Sequence, residues 1–469
     1  MATSPQAPSA FRPEARILSL GDAFYDRVTA ANFPATILRF RNDRAAAEVG
    51  LDGLSDAEWI ERFGRFQPFE GSLEEPLALR YHGHQFRQYN PELGDGRGFL
   101  FAQMRGRDGR LMDLGTKGSG QTPWSRFGDG RLTLKGGLRE ILATEMLEAL
   151  GVNTSRTFSL IETGEALHRG DEPSPTRSAV LVRLSHGHIR IGSFQRLAYL
   201  NDAAGTEALV RYCLEELYGE RPGEHPALRL YELVVGRTAR LAASYMAAGF
   251  VHGVLNSDNI AITAESFDYG PWRFTPYWDP SFTAAYFDQT GLYSFGRQPQ
   301  AIHWDAAQLA LSLTAMEPVE ALAPILDHFP ALYEQALADA MLKRLGVTPR
   351  GEAEDIALTD AITRALQQNT ITIDRFFFDW RGGARRAASP DEAAYDHPVF
   401  RPFVEAVADY QPTVSLDHPY WADAEPCSMH IEEVEAIWAP IAEADDWSRM
   451  ERKVKEIRRM GDAMASPRP

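Results

Sequence analysis

The densest chemistry in this chain lies in one short stretch: Phe250-Val251-His252-Gly253-Val254-Leu255-Asn256-Ser257-Asp258-Asn259-Ile260-Ala261-Ile262, followed by Phe267-Asp268-Tyr269-Gly270-Pro271. Asn259 and Asp268 offer hard oxygen atoms, the donors that Mg²⁺ or Mn²⁺ takes when it bridges phosphates. Asp258 lies beside them. Alone, Asp-Tyr-Gly reads as a turn and Asp-Asn as an Asx-type loop. Nine positions apart, behind a long helical pattern, the two read together as a metal and phosphate site.

An upstream island supports that reading. Residues 94–137 hold 12 of the 37 glycines, and between Gly94 and Glu140 nine bases face five acids. The whole chain carries 65 acids against 48 bases, a net charge of −17. A basic, glycine-rich island in an acidic chain is what an anion site requires, because glycine lets backbone N–H groups approach a phosphate. It contains neither GxxxxGK[ST] nor GxGxxG, so the usual phosphate and dinucleotide fingerprints are absent. Lys117 sits in this island, and Glu140 lies on the helical pattern Leu138–Leu150 that comes after it. A strand lysine held by a helix glutamate is how protein kinases orient nucleotide phosphates. The order helix, H-G-x-x-x-x-D-N, short β stretch, D-Y-G likewise parallels the kinase catalytic loop and its metal-binding motif. His252-Gly253-Val254 has no Asp where a kinase carries its base, which counts against simple kinase chemistry.

Several elements must position these residues. Residues 179–184, Ala-Val-Leu-Val-Arg-Leu, read as a strand. Residues 228–249 read as a long amphipathic helix ended by Gly249 and delivering the chain into the His252 segment. Helical patterns recur at 301–313, 320–345, 354–367 and 430–458. Residues 1 to 15 read as a loose arm and the last six as frayed. At 469 residues, with 44% hydrophobic and 24% charged residues, the chain has ordinary globular composition and can bury a large core. Its negative charge argues against nucleic-acid binding. Without a signal pattern or a long apolar run, the expectation is a cytoplasmic protein with no membrane segment. Cys213 and Cys427 form no CxxC pair and read as inert thiols. No HExxH motif points to a zinc hydrolase.

The chain resembles the selenoprotein O family, kinase-like protein adenylyltransferases. The resemblance rests on Tyr81-His82-Gly83-His84-Gln85-Phe86, Leu93-Gly94-Asp95-Gly96-Arg97, Lys117 to Arg126, Gly128-Asp129-Gly130-Arg131 and Leu138-Arg139-Glu140. It continues through Val182-Arg183, Ser185 to Arg190, His252 to Asn259, Asp268-Tyr269-Gly270-Pro271, Tyr293-Ser294-Phe295 and Gln298-Pro299. It implies an α+β, two-lobed, protein-kinase-like fold with a β-rich N-lobe and a helical C-lobe. The expected division is an N-terminal extension over 1–30, the glycine-rich N-lobe over 31–184 and the C-lobe over 185–469. It implies a pseudokinase that binds ATP flipped relative to kinases. Such a protein transfers AMP to Ser, Thr or Tyr hydroxyls of target proteins and releases pyrophosphate; some bacterial members are associated with uridylylation from UTP. The alternative is a protein or small-molecule kinase of the same fold. By resemblance Gly94, Gly96, Arg97, Lys117, Asp129, Gly130, Arg183 and Arg190 contact the nucleotide and Glu140 orients Lys117. Asp258 is the general base, and Asn259 and Asp268 hold Mg²⁺ or Mn²⁺. Arg183 and Arg190 can share a face only if residues 185–188 turn the chain, in a hairpin or a bend. Many members carry a selenocysteine or cysteine close to their C-terminus. This chain ends Met-Ala-Ser-Pro-Arg-Pro, so that redox role is not carried over.

Overall fold

The computed structural model describes residues 10–170, 172–386 and 391–466. The strands are β1 (Pro13–Glu14), β2 (Tyr25–Arg27), β3 (Ile37–Arg41), β4 (Leu77–Leu79), β5 (Gly83–Gln85), β6 (Gln88–Asn90), β7 (Leu100–Arg105) and β8 (Leu111–Lys117). They continue as β9 (Leu132–Thr133), β10 (Arg156–Leu167), β11 (Thr176–Ser185), β12 (Phe250–Val251) and β13 (Arg273–Phe274). In the first half lie helices α1 (Asp43–Val49), α2 (Asp56–Phe63), α3 (Leu134–Ala149), α4 (Ile191–Tyr199), α5 (Ala203–Tyr212) and α6 (Pro226–Ala248). Then come α7 (Gln298–Ser312), α8 (Val319–Asp327), α9 (Phe329–Leu345), α10 (Glu352–Leu366), α11 (Ile373–Asp379), α12 (Arg401–Val407), α13 (Ile431–Ala444) and α14 (Ser448–Ala465). The architecture is α+β, with a sheet-rich N-terminal part and a helical C-terminal part.

The main sheet runs β2-β4-β7-β8-β11-β10-β3, with β1 beside β7 and β9 beside β11. Both faces are covered, and β11 shows how. Val180, Val182 and Leu184 enter an aromatic core built around Trp59, Phe63, Phe101 and Phe158. Ala179 and Leu181 enter the opposite core with Leu138, Ile141 and Leu142 of α3. A strand buried on both sides loses the polar alternation of a surface strand, which explains the nearly continuous apolar run 179–184. That second core continues into α4 to α7, so one apolar body joins the sheet to the helices.

Helix α3 begins at Thr133, whose hydroxyl accepts from the Gly136 N–H. Helix α6 starts with Pro226 at its first position and ends at Gly249, whose φ is +68°. Its 23 residues deliver the chain to His252, as the 228–249 pattern predicts.

Three expectations need correction. The arm is not loose where it is described, because Pro13–Glu14 pairs with β7; residues 1–9 lie outside the described residues. The pattern over 320–345 is two helices, α8 and α9, broken at His328. Pro330 opens α9 and cannot donate to the preceding turn. Of the hairpin or bend expected at 185–188, the structure forms the bend. The chain turns at Gly187 (φ +91°), and Arg190 bridges to Ala261 and opens α4. At the C-terminus Met464 and Ala465 still belong to α14; residues 467–469 lie outside the described residues. This helix returns to the N-terminal part, where Arg458 grips Glu145 of α3 at 2.6 and 2.8 Å. Both cysteines are free, and burial pushes the Cys213 thiol well up and the Cys427 thiol to about 11. Among the described residues no helix is long and apolar enough to cross a membrane.

Candidate functional site

A cleft of about 600 Å³ opens between the sheet and the segment after α6. Its floor comes from β8 and β11, which pair with Lys117 opposite Leu181 and Gly115 opposite Arg183. The period of two puts Lys117 and Arg183 on the face that α3 covers. Lys117 meets Glu140 of α3 in a buried ion pair, and its Nζ lies 2.9 Å from Asp268 Oδ1. Three charged groups from strand, helix and loop thus share one point.

Asp268 has a φ of +59°, a conformation that side-chain-bearing residues seldom adopt. Such a backbone persists only where the surroundings impose it. Here they do: Tyr269 is buried, with its hydroxyl 2.7 Å from Ser266 Oγ and 2.6 Å from Thr154 Oγ1. Burial alone would raise the Asp268 pKa, but the Lys117, Arg183 and Arg97 charges outweigh it and hold the carboxylate well below its usual range.

Arg183 and Arg190 both line the cleft, and both are buried. Their guanidinium groups sit over the Phe267 ring at 5.1 and 5.0 Å, and Arg190 also over Tyr81 at 4.1 Å. Arg190 is tied to the Asp258 carbonyl at 3.1 Å and to Asp95 Oδ1 at 3.3 Å. Yet Arg183 Nε and Nη1 and Arg190 Nε have no hydrogen-bond partner. A buried guanidinium N–H without an acceptor is costly, and an anion entering the cleft would relieve that cost.

Asp258 is 7% exposed, and its Oδ1 is also unpartnered. Burial raises its pKa to about 6, against the pull of Arg190 and with a smaller push from Asp268. A carboxylate poised there can take a proton near neutral pH. Its loop is anchored from both sides. Ser257 Oγ donates to Gln195 at 2.6 Å and accepts from the His84 N–H at 2.8 Å. Asn256 Oδ1 accepts from the Phe86 N–H and from the Tyr293 hydroxyl. His252 bonds the Phe267 carbonyl at 3.0 Å, and burial lowers its pKa.

The glycine-rich pieces form the outer wall. Gly94, Gly96, Arg97, Asp129 and Gly130 all line the cleft. At Gly94 a Cβ would fall 2.4 Å from the Trp124 ring, so only glycine lets that indole pack. Gly130 holds φ +69° and passes so close to Gly120 that a Cβ would collide with its backbone. The Asp129 carboxylate accepts from Arg169 at 2.9 and 3.1 Å and from the Arg131 N–H at 2.9 Å.

Of the residues singled out in the sequence, Glu140 and Asn259 do not line the cleft. Glu140 stands behind Lys117. Asn259 turns its amide nitrogen to the Val254 carbonyl at 2.9 Å. Among the described residues no group of three or more His, Cys, Asp or Glu side chains could hold a metal by itself. Asp268 and Asn259 carry oxygen atoms of the kind taken by a cation that completes its shell with phosphate oxygens and water, as Mg²⁺ does. Sequence reasoning placed Tyr81, Asp95 and Phe267 in its motifs without giving them a role, and it missed Asp305. Asp305 is fully buried, both its oxygens are unpartnered, and burial together with Asp258 raises its pKa well above the usual value.

Known proteins resemble this chain along nearly its whole length. The model of the family described as protein adenylyltransferase SelO matches residues 9–458. The protein nucleotidyltransferase YdiU of Synechocystis sp. is 42% identical over 470 residues, covering 95% of this chain and 97% of that one. Its namesake from Gloeobacter violaceus is 44% identical over 465 residues, covering 92% of each chain. Among solved structures, the Toxoplasma gondii specific rhoptry antigen kinase domain aligns with a TM-score of 0.29 at 11% identity. That alignment covers 58% of this chain and 77% of that one.

Proposed function

Because this chain belongs to the SelO family of protein adenylyltransferases, we propose that it transfers AMP from ATP to the hydroxyl of a Ser, Thr or Tyr side chain in a target protein. The observation that carries this reading is the set of unpartnered groups facing one cleft: the N–H donors of buried Arg183 and Arg190 and the Oδ1 of buried Asp258. The arginines hold the phosphates with planar, fixed donors. Lys117, kept in place by Glu140, adds a point charge beside them. Asp258 accepts the proton of the incoming hydroxyl. The hydroxyl oxygen forms a bond to the α-phosphorus, the bond from that phosphorus to the bridging oxygen breaks, and pyrophosphate leaves with the electron pair. A Mg²⁺ or Mn²⁺ held by Asp268 and Asn259 would neutralise charge that develops on the phosphates. We place the reaction in the cytoplasm, and the acceptor reaches the cleft from the side of Asp258.

ATP labelled at the α-phosphate, compared with ATP labelled at the γ-phosphate, tests the reaction. Transfer of the α label to protein with release of pyrophosphate is expected. Transfer of the γ label with release of ADP would make the protein a kinase instead. UTP labelled at the α-phosphate, run in parallel, measures uridylylation.

A further inference from the structure

A second cavity, of about 330 Å³, lies away from the nucleotide cleft and shares no lining residue with it. The β7–β8 turn contributes Arg110, α6 contributes Arg237 and Arg240, and the segment between Asp258 and Asp268 contributes Thr263. Arg237 and Arg240 are three positions apart on α6 and therefore neighbours on its surface. No acidic side chain is among the lining residues, in a chain where acids outnumber bases 65 to 48. Of the acids nearby, Asp108 pairs with Arg110 itself in an exposed contact, whereas Glu220 takes Arg229 at 2.8 and 2.9 Å and Glu265 accepts from the His186 N–H at 2.8 Å.

Among the described residues neither Arg237 nor Arg240 forms an ion pair. The Arg237 guanidinium lies over the Tyr218 ring at 4.3 Å, which fixes its plane and leaves its N–H edge free. His186 only shapes the wall, since both its ring nitrogens are committed to the carbonyls of Leu111 and Leu217 at 2.7 Å. A separate observation points to a ligand. Thr263 is 2% exposed and lines the cavity, and its Oγ1 has no hydrogen-bond partner. A buried hydroxyl left unpaired carries a desolvation cost that a ligand oxygen would relieve.

We propose that this cavity is a second anion site, which takes the phosphate group of a small phosphorylated ligand between Arg110, Arg237, Arg240 and Thr263. Two guanidinium groups without an ion pair, Arg237 and Arg240, and a third shared with Asp108 suit a phosphate, which carries nearly two charges and three acceptor oxygens. The volume leaves room for more than the bare ion. The site also touches the catalytic segment: Tyr218, under Arg237, donates from its hydroxyl to the Ile262 carbonyl at 2.7 Å, next to Thr263.

The test reads the two arginines directly and needs no turnover. Inorganic phosphate, at ten times its dissociation constant, should slow phenylglyoxal modification of Arg237 and Arg240 about tenfold against chloride at equal ionic strength. Peptide mass spectrometry resolves each residue. Thr263→Val and Arg110→Ala should weaken the protection. AMP is compared at equal concentration. Stronger protection by AMP identifies a nucleotide as the ligand, and equal protection means that the phosphate alone is read; either supports the site. Arg97→Ala and Lys117→Ala weaken the front cleft, so protection should persist in both. Its loss in either folded variant would assign the effect to the cleft and overturn the proposal, as would equal modification rates in phosphate and chloride.

Discussion

The two arginine-lined cavities differ most in their acids. The front cleft mixes Arg97, Lys117, Arg183 and Arg190 with Asp95, Asp129, Asp258 and Asp268. The rear cavity sets Arg110, Arg237 and Arg240 around a threonine with no carboxylate in its lining. In the front Arg183 and Arg190 are buried and stacked, so their charge acts in a low dielectric and their carboxylate neighbours acquire shifted pKa values. In the rear Arg110 and Arg240 are exposed and Arg237 is half-buried. Cations alone bind an anion. Cations interleaved with carboxylates can also hold a metal and move a proton, and that separates a reaction site from a binding site.

Removing the carboxylates from the front cleft should therefore abolish chemistry before it abolishes binding. The largest effect is expected for Asp268→Ala. Loss of the metal ligand proposed above costs several kcal/mol of barrier, so transfer of α-labelled AMP should fall by about 10³-fold or more. The melting temperature should change little, since Lys117 keeps Glu140. Near-normal transfer by purified Asp268→Ala would erase the distinction between the cavities.

Asp258→Asn should slow transfer by about 10²–10⁴-fold while ATP still binds. The wild-type rate should climb with pH and level off above about 6, because the carboxyl must lose its proton before it can accept one. In Asp258→Asn that acidic limb should vanish; a limb that survives would belong to another group.

Smaller again is the effect of Arg183→Lys. An ammonium cannot reproduce the planar fork, and a charge-assisted hydrogen bond of about 1.5–3 kcal/mol is lost. ATP affinity measured calorimetrically should drop about ten- to a hundredfold. Unchanged affinity would remove Arg183 from the phosphate contacts. The smallest effect sharpens the contrast through salt. Raising sodium chloride from about 0.05 to about 0.5 M should weaken phosphate protection at Arg237 and Arg240 several-fold, and ATP binding in the cleft less, because buried charges are screened less. Equal salt slopes would mean that the two sites are alike in exposure.

Much of the front site is legible in the sequence because its residues cluster there. Asp258, Asn259 and Asp268 fall within one loop, and the strand-then-helix order of Lys117 and Glu140 anticipates their ion pair. The grip on Arg190 is not legible. Asp95, Tyr81 and Phe267 reach it from separate segments. The passage from β11 to α4 is ambiguous too, because Ser185 to His188 signals a turn that could lead into either a strand or a helix. The rear cavity leaves no local trace, since Arg110, Arg237 and Thr263 are each ordinary in their own stretch.

By itself the sequence determined the features that depend on near neighbours. Pro226 and Gly249 delimit α6, the apolar run 179–184 makes a strand, and the glycine spacing opens a wall that backbone can line. These outcomes arise from local dihedral preferences and periodicity, which a few adjacent residues fix. Tertiary structure alone decided that α14 returns to clasp α3, that Arg183 and Arg190 keep unpaired donors, and that the Asp258 carboxyl titrates near 6. Desolvation and charge coupling depend on every atom within a few ångströms, and here those atoms come from segments tens to hundreds of residues apart.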